Sequence, residues 1–380
     1  MVVFEPYAGY MHLVPRLAIA FCALFPIEVI PVVVTVVAAF VVSLTAAACF
    51  LFLETRIRSM LLRFTAWAVI LVTPNAGGEV TNNLANLHWF LMVGAVCALL
   101  VRAPNRWFAA VQCAVVVAAV GSDPLVLMFV PLVVVRLVLL KSRRDRSIAV
   151  AFILTAAVQL SVTFVGIFVN ESRSFARTIP PVPDLLDFYT FRVVLSGIAG
   201  VTATERYGEA LGATIPGLIT ASVLAFLIVA VRRNRPARYA LIVAAGSSAT
   251  FFAIVFALQW NTLGPLGALD LQAGQRYALL PTMLLLIAII LAADALIQGQ
   301  RQRVVIALSV AVALVVLVPS VADYRWVNLR AGAASWEQSL EVAGEACNTG
   351  SASKVTIPVA PGWFTGAEVP CDLLDDEVGQ

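Results

Sequence analysis

Residues 29–53 read VIPVVVTVVAAFVVSLTAAACFLFL, and the segment ETRIR follows directly at 54–58. This apolar run is longer than the roughly 20 residues that a helix needs to cross the hydrocarbon core of a bilayer. Arginines beside such a run are typical of cytoplasmic loops, which carry an excess of Lys and Arg. The run therefore predicts a membrane-spanning helix that ends on the cytoplasmic side.

The composition of the whole chain has the same character. Of the 380 residues, 61% are apolar and 12% are charged, and the mean hydropathy is +0.95. Soluble domains have about 45–50% apolar and about 25% charged residues. A soluble core of this size does not bury that much apolar surface, so the composition excludes a cytosolic enzyme, a secreted domain and a nucleic-acid binder. No zinc-ligand spacing, Walker-type loop or dinucleotide glycine fingerprint is present.

Further apolar runs predict an all-α, polytopic bundle of about ten spans. The runs lie at 29–53, 60–73, 84–101, 107–120, 123–140, 147–169, 213–231, 239–260, 276–297 and 304–322. A basic cluster follows every second run, which places both termini of the chain on the outer side. We therefore expect a multi-pass protein of the inner (plasma) membrane.

The distribution of charge supports this orientation. The five predicted inner loops hold 16 of the 25 basic residues and 3 of the 22 acidic residues, a balance of 16 − 3 = +13. The other segments hold the remaining 9 basic and 19 acidic residues, a balance of 9 − 19 = −10. A wrong assignment of the spans would mix these two groups.

The sequence divides into three parts. Residues 1–28 are predicted to lie at the outer interface, since Pro15 and Arg16 interrupt their apolar character. Residues 29–322 form the transmembrane domain, with a long outer loop at 171–211 that we expect to be a partly helical flap with solvated charges. Residues 323–380 form a tail on the outer face.

The tail is predicted to be a small α/β cap. A helix is expected at Ala333–Ala346 and a strand at Lys354–Val359. Cys347 and Cys371 lie in this outer, oxidising part of the chain, which favours a disulfide between them. Closing a loop of about 25 residues would contribute roughly 3.5 kcal/mol in the chain-entropy model.

Polar residues concentrate at the start of the third run. Asn82, Asn86 and Trp89 are spaced to share one helical face, Glu79 precedes them, and His88 lies one turn inside the helix. One interpretation is a substrate-binding pocket in which Glu79 acts as a general base. The other is a helix cap with an interfacial aromatic anchor.

Three other positions on the predicted outer side each allow two interpretations. Asp123 precedes Pro124 in a tight turn, where it is either a helix N-cap or a functional carboxylate. Arg276, followed by Tyr277, opens the ninth run and either binds a phosphate headgroup or anchors the helix in ordinary lipid. Arg16 allows the same two interpretations.

Several short segments together resemble bacterial multi-spanning glycosyltransferase-like membrane proteins of the GT-C type. They are Glu79…Asn86-Leu87-His88-Trp89, Gly9-Tyr10 to Pro15-Arg16, Ser122-Asp123-Pro124, Gln275-Arg276-Tyr277 and Cys347…Pro361-Gly362-Trp363…Cys371. The resemblance implies transfer of a sugar from a polyprenyl-phosphate donor to a cell-envelope acceptor on the outer face. It implies no cofactor beyond this donor, and it is compatible with a divalent metal.

The resemblance also implies roles for particular residues. Glu79 or Glu5 would be the base, and Arg276 and Arg16 would hold the donor phosphate. Asn86 and His88 would orient the acceptor. GT-C enzymes resemble one another in an acidic residue after a first span, and here Glu5 is the only acid before the interfacial segment. Either a preceding span lies upstream of this chain, or Glu5 serves as the base, or the protein is a non-catalytic relative.

Two further function classes remain open at this stage. One is a flippase or other transporter for lipid-linked sugars, and the other is a non-catalytic membrane partner of an envelope-synthesis complex. Ion coupling is disfavoured because the predicted span centres carry few polar groups, chiefly Gln159, while Asp294 lies near an inner end.

Overall fold

A computed structural model describes residues 9–77, 80–140, 142–169, 179–324, 334–349, 353–358 and 366–375. These residues are mostly helical. The helices are α1 (Leu13–Cys22), α2 (Ile30–Leu53), α3 (Met60–Val72), α4 (Leu87–Leu100), α5 (Arg106–Ser122), α6 (Val130–Leu139), α7 (Arg143–Val169), α8 (Val182–Tyr189), α9 (Ser196–Ala199), α10 (Val201–Leu211), α11 (Thr214–Arg233), α12 (Arg235–Leu263), α13 (Gln275–Ile297), α14 (Gln302–Tyr324), α15 (Trp336–Thr349) and α16 (Asp372–Asp375). The strands are β1 (Lys354–Ile357) and β2 (Ala367–Pro370).

Six stretches within the described residues are long and apolar enough to cross a membrane. They are Ile27–Leu53, Arg143–Val165, Thr214–Arg233, Arg235–Leu266, Gln275–Ile297 and Gln302–Tyr324. Shorter apolar helices cover the other four predicted runs and α1. The helical bundle agrees with the predicted fold class, and the number of ten spans stays a prediction.

The helices α2 to α7 and α11 to α14 run alternately between two ends of the bundle. We call the end that carries His12 and His88 the histidine end, and the end that carries Arg56 and Arg136 the basic end. Helix α13 is central, because 89% of its most apolar 18 residues are buried and it contacts α3, α4, α11, α12 and α14. Small residues allow close approach: a Cβ on Gly94 of α4 would lie 2.9 Å from Val115.

Buried polar side chains close the C-terminal end of α4 at the basic end. Arg136 is 1% exposed, and its Nη1 donates to the carbonyls of Ala98, Leu99 and Val101 at 2.8–3.1 Å. Its Nη2 lies 2.9 Å from Asp145 Oδ1. These bonds satisfy carbonyls that an α-helix leaves unpaired at its end.

The C-terminal part forms a small α/β unit, as its sequence predicted. Strands β1 and β2 pair antiparallel, and Cys347 and Cys371 form a disulfide with Cα atoms 5.7 Å apart. Trp336 of α15 donates its Nε1 hydrogen to the Ile27 carbonyl at 2.9 Å. This unit therefore contacts the chain just before α2. Residues 361–363, part of the tail segment quoted for the resemblance, lie outside the described residues.

The segment from α8 to α10 differs from the predicted flap. It is partly helical, as expected, and includes a π-helix at Thr190–Leu195. However, Arg192 is not solvated: it is 1% exposed and bonded to backbone carbonyls. The prediction of solvated charges was wrong for this residue, because charge alone does not reveal which carbonyls a fold leaves to be satisfied.

Candidate functional site

Three side chains that are distant in sequence meet at the histidine end. His88 Nδ1 lies 3.3 Å from His12 Nε2 and 2.7 Å from the Ala85 carbonyl. The other nitrogen of His88, Nε2, lies 3.2 Å from Asp123 Oδ2. We call His12, His88 and Asp123 the histidine cluster. Each member is at most 6% exposed, so the cluster lies beneath the surface.

The hydrogen bonds restrict where the protons of His88 lie. The Ala85 carbonyl only accepts, so His88 Nδ1 carries the hydrogen of that bond. A neutral His88 then accepts at Nε2 from a protonated Asp123, whereas a charged His88 donates from Nε2 to a carboxylate. In both cases the pair holds one proton between Nε2 and Oδ2 and has no net charge.

Burial shifts the pKa values of Asp123 and His12, the two members of the histidine cluster that lie outside the helices. It raises the pKa of Asp123 to about 7, although the Leu125 N–H favours the carboxylate. It lowers the pKa of His12 to about 4, against a hydrogen bond to Ala85, and the charge of Arg16 adds to the lowering. Both shifts favour the neutral form, as expected for groups removed from water.

Asp123 fulfils the structural role that its sequence predicted and a second one as well. Its Oδ1 accepts from the Leu125 N–H at 2.7 Å, which is the geometry of an N-cap. Its Oδ2 faces His88, as described above. The neighbouring Ser122 accepts from the Val14 N–H at 3.1 Å, and this bond joins α1 to α5.

Gln159 connects α7 to the same end of the bundle. It is fully buried, and its Nε2 donates to the Met11 carbonyl at 3.2 Å, one residue before His12. Its Oε1 has no partner among the described residues. The polar group that the sequence placed in a span centre therefore holds the segment that carries His12.

An aromatic row connects the histidine cluster to the start of α13. The ring centroids of His88 and Trp89 are 4.6 Å apart, and those of Trp89 and Tyr277 are 6.1 Å apart. Arg276 lies over the Tyr277 ring at 4.8 Å and donates to its hydroxyl at 3.1 Å. Four of the predicted motif segments thus meet here, and each supplies a residue or a neighbour of the cluster.

Two half-exposed cations flank the buried cluster. Arg16 is within electrostatic range of His12, and Arg276 is within electrostatic range of His88. Since His12 favours the neutral form and the His88–Asp123 pair has no net charge when it holds one proton, these guanidinium groups dominate the local charge. The arrangement suits an anion such as a phosphate group.

The structure places Asn82 and Asn86 differently from the single helical face that the sequence predicted for them. Asn86 is buried at the end of a 3₁₀ turn, directly before α4. Asn82 has a φ of 60°, in the left-handed region, and lies in the preceding turn rather than on the helix. Asn83, which the prediction did not single out, accepts from the Ala85 N–H at 3.0 Å. The shared helical face of Asn82 and Trp89 was therefore wrong, because the regular helix begins only at Leu87.

The two predicted bases, Glu79 and Glu5, lie outside the described residues. The residues on either side of positions 78–79 are described: the Val80 N–H donates to the Gly77 carbonyl at 3.0 Å. A Cβ on Gly77 would lie 3.8 Å from Gln275 Oε1. The backbone beside position 79 is therefore next to the start of α13, where Arg276 lies.

Sequence reasoning missed a second polar network, which is built around Asn75. Its Nδ2 donates to the Arg192 carbonyl (3.1 Å), Ser196 Oγ (3.1 Å) and Thr282 Oγ1 (2.6 Å). This one side chain ties the turn after α3 to the π-helix and to α13. Asn75 follows Pro74, a residue common in turns, but nothing in the local sequence indicates these distant partners.

Arg192 clamps the loop that leads to α13. Its Nη1 donates to the Ala273 carbonyl at 2.6 Å, and its Nη2 donates to the carbonyls of Gly267 (3.1 Å) and Asp270. Burial lowers the pKa of Arg192 to about 10, against the favourable charges of Asp270 and Glu205, which leaves it charged at neutral pH. The clamp fixes the backbone directly before Gln275 and Arg276.

Comparisons with known proteins add no identification, since no family model, curated protein or solved structure matches this chain. Among the described residues, no group of three or more His, Cys, Asp or Glu side chains could hold a metal ion. The site is therefore argued from its own geometry: a buried neutral cluster, an aromatic row and two flanking guanidinium groups.

Proposed function

We propose that this chain is an integral membrane glycosyltransferase of the GT-C type, which moves a sugar from a polyprenyl-phosphate donor to a cell-envelope acceptor. The observation that supports this best is the convergence of four separated sequence segments at the histidine end. Arg16, His88, Asp123 and Arg276 come from α1, α4, the turn after α5 and α13. Such convergence is better explained by one shared functional site than by four helix ends with unrelated structural roles.

The proposal includes the orientation of the chain. Ten membrane crossings would place the histidine end, both termini and the disulfide-bonded unit on the outer side of the plasma membrane. The basic end would face the cytoplasm, in accord with the excess of arginine there. An outer-face site is where a lipid-linked donor and an envelope acceptor meet.

The roles follow from charge and position. Arg276 and Arg16 would bind the donor phosphate as guanidinium forks. Glu79 would take the proton of the acceptor hydroxyl as the new bond to the sugar C1 forms. The bond between C1 and the phosphate oxygen would break, and its electron pair would leave with polyprenyl phosphate. Both ring nitrogens of His88 are engaged within the protein, so His88 would position neighbours rather than contact the acceptor.

Release of polyprenyl phosphate tests the proposal directly. The purified full chain in lipid vesicles would be given undecaprenyl-phosphate-linked monosaccharides, with envelope glycans as acceptors. We expect Glu79→Gln to reduce release by about 10²–10⁴-fold, the usual contribution of a general base. Glu209→Gln is the matched control, because Glu209 is an exposed acid in α10 that has no role in the proposed reaction.

Two outcomes would favour the other classes. Full activity of Glu79→Gln together with Arg276→Gln would remove both residues from the reaction. No release by the wild type, together with co-purification of a stoichiometric partner, would favour a non-catalytic partner. Labelling of introduced cysteines from both sides of the membrane along 147–169 and 239–260, with no release, would favour a transporter.

A further inference from the structure

A second group of cations lies at the basic end, away from the proposed transfer site. Arg56 lies in the loop between α2 and α3, and its Nη2 donates to the Leu100 carbonyl at 2.7 Å. Arg102 follows the end of α4 and is exposed, and Tyr239 lies in the first turns of α12. Arg56 is within electrostatic range of both Arg102 and Tyr239.

The acids near these cations are already bound elsewhere. Asp145 pairs with Arg136 at 2.9 Å, and Glu54 lies 3.4 Å from Arg63. Asp294, the third acid at this end, accepts from the backbone N–H groups of Arg58 and Ser59 at 3.1 and 2.8 Å. In the described part of the chain, no carboxylate forms an ion pair with Arg56 or Arg102, although Asp145 Oδ1 also accepts from the Ala103 N–H at 3.0 Å.

The surroundings of Arg56 raise the free energy of its charged side chain in the absence of an ion-pair partner. Burial lowers the pKa of Arg56; Tyr239 opposes this shift, and the like charge of Arg102 adds to it. Its Nε is buried and has no hydrogen-bond partner among the described residues. An unpartnered buried donor costs about 1–3 kcal/mol, and more where the group is charged. An anion beside Arg56 and Arg102 would offset the repulsion between their like charges.

We propose that Arg56, Arg102 and Tyr239 form a binding site for a phosphate group at the basic end. Two guanidinium groups and a phenol supply donors that match phosphate oxygens, and arginine binds phosphate through paired N–H groups. The site lies outside the proposed transfer reaction and stands whether or not that reaction occurs.

Apolar side chains around the loop indicate that the phosphate belongs to a lipid. Leu51 and Met60, on either side of the loop that carries Arg56, are 50% and 54% exposed. Trp107, five positions after Arg102, is 72% exposed, and such aromatic residues concentrate at membrane–water interfaces. A lipid headgroup bound here would extend its chains along these exposed side chains.

The test is ligand-induced stabilisation of the purified full chain in neutral detergent. Three probes would be titrated: dioctanoyl phosphatidic acid, dioctanoyl glycerol without phosphate, and inorganic phosphate. We expect phosphatidic acid to raise the midpoint of thermal unfolding and dioctanoyl glycerol to have no effect. Stabilisation by inorganic phosphate at similar concentrations would assign the site to free phosphate instead of lipid.

Variants then locate the site. Arg102→Gln should weaken the apparent affinity by about tenfold or more, and Arg56→Gln with Arg102→Gln by about 100-fold, as expected for lost charge-assisted bonds. Tyr239→Phe should weaken it less, by about fivefold, as expected for one neutral hydrogen bond. If the double variant does not fold, the single variants Arg102→Gln and Tyr239→Phe are sufficient for the test, since Arg102 is exposed.

A matched control removes the same charge elsewhere at this end. Arg143 and Arg146 are exposed, and neither makes a side-chain bond in the described structure. Arg143→Gln with Arg146→Gln should leave the affinity within about twofold of the wild type. An equal loss in this control would show a diffuse electrostatic effect and overturn the proposal, as would the absence of stabilisation by both phosphate-bearing probes.

Discussion

His88 Nε2 lies 3.2 Å from Asp123 Oδ2, and this contact joins the start of α4 to the turn after α5. Because the opposite nitrogen of His88 faces the Ala85 carbonyl, a hydrogen bond within the pair requires one proton on either His88 Nε2 or Asp123 Oδ2. The contact therefore joins two parts of the bundle, and it forms a hydrogen bond only when that proton is present.

Asp123→Asn should be nearly neutral for stability, whereas Asp123→Ala should be costly. An asparagine amide can donate to His88 Nε2 while its oxygen accepts from the Leu125 N–H, so both bonds survive. Alanine removes the cap, worth about 1 kcal/mol, and leaves a buried nitrogen unpartnered, at about 1–3 kcal/mol. Unfolding by SDS in mixed micelles would measure both variants. Equal losses for Asn and Ala would indicate a charged His88 facing a carboxylate.

The stability that Asp123 contributes should fall as the pH rises. Its pKa in the folded protein is about 7, against 3.8 ordinarily, so the folded state binds the proton more tightly than the unfolded state. The contribution is fully present below about pH 4 and is lost as the pH rises through 7. The midpoint of thermal unfolding of the wild type, relative to Asp123→Asn, should decrease across this window. A difference that is constant with pH would contradict the raised pKa.

His12 should have the opposite pH dependence. Its folded pKa is about 4, against 6.5 ordinarily, so the unfolded state binds the proton more tightly between these values. The wild type should therefore lose stability relative to His12→Gln as the pH falls from 6.5 to 4. Because Asp123 titrates over an overlapping range with the opposite sign, the comparison should be repeated in the Asp123→Asn background. The sign should be unchanged there.

Replacement of Arg192 should disturb the loop before α13 more than its charge alone suggests. Arg192→Met leaves the carbonyls of Gly267 and Ala273 without donors, at an expected cost of about 2–4 kcal/mol. Arg192→Lys keeps the charge but lacks the planar fork, so it should recover only part of the loss. Arg206→Met, at an exposed arginine of the same segment, should change stability by less than about 0.5 kcal/mol.

Nitroxide labels would show whether the loop itself is affected. A label at Ala268→Cys, in a background without the free cysteines, should become more mobile in Arg192→Met and remain unchanged in Arg206→Met. Unchanged mobility in both variants would mean that Arg192 does not hold the loop.

The sequence predicted those features that depend on local pattern. Apolar runs located the helices because a bilayer requires every backbone group to be bonded within its own helix. Asp123 before Pro124 predicted a cap, and the cap is present. These features need no knowledge of which helices are neighbours.

Contacts between side chains and groups on neighbouring helices could not be predicted from local sequence patterns. Nothing in the local sequence indicates that Asn75 contacts Thr282 or that Arg192 binds the carbonyls before α13. Arg136 was counted as a loop charge, although the structure buries it against Asp145. Each of these side chains satisfies backbone or polar groups that only the packed bundle brings within reach.

Loss of the disulfide should loosen the C-terminal unit and leave the helical bundle intact. Cys347→Ser with Cys371→Ser removes a covalent closure worth roughly 3.5 kcal/mol in the chain-entropy model. The buried centre of this unit is small, comprising Ala343, Ile357 and Val369. Limited proteolysis should therefore cut near β1 much faster in this variant, while the bundle unfolds at an unchanged temperature. Cys113→Ser, at a free cysteine in α5, is the control and should leave the proteolysis pattern as in the wild type. A lower unfolding temperature for the whole protein would instead show that the unit stabilises the bundle through its Trp336–Ile27 contact.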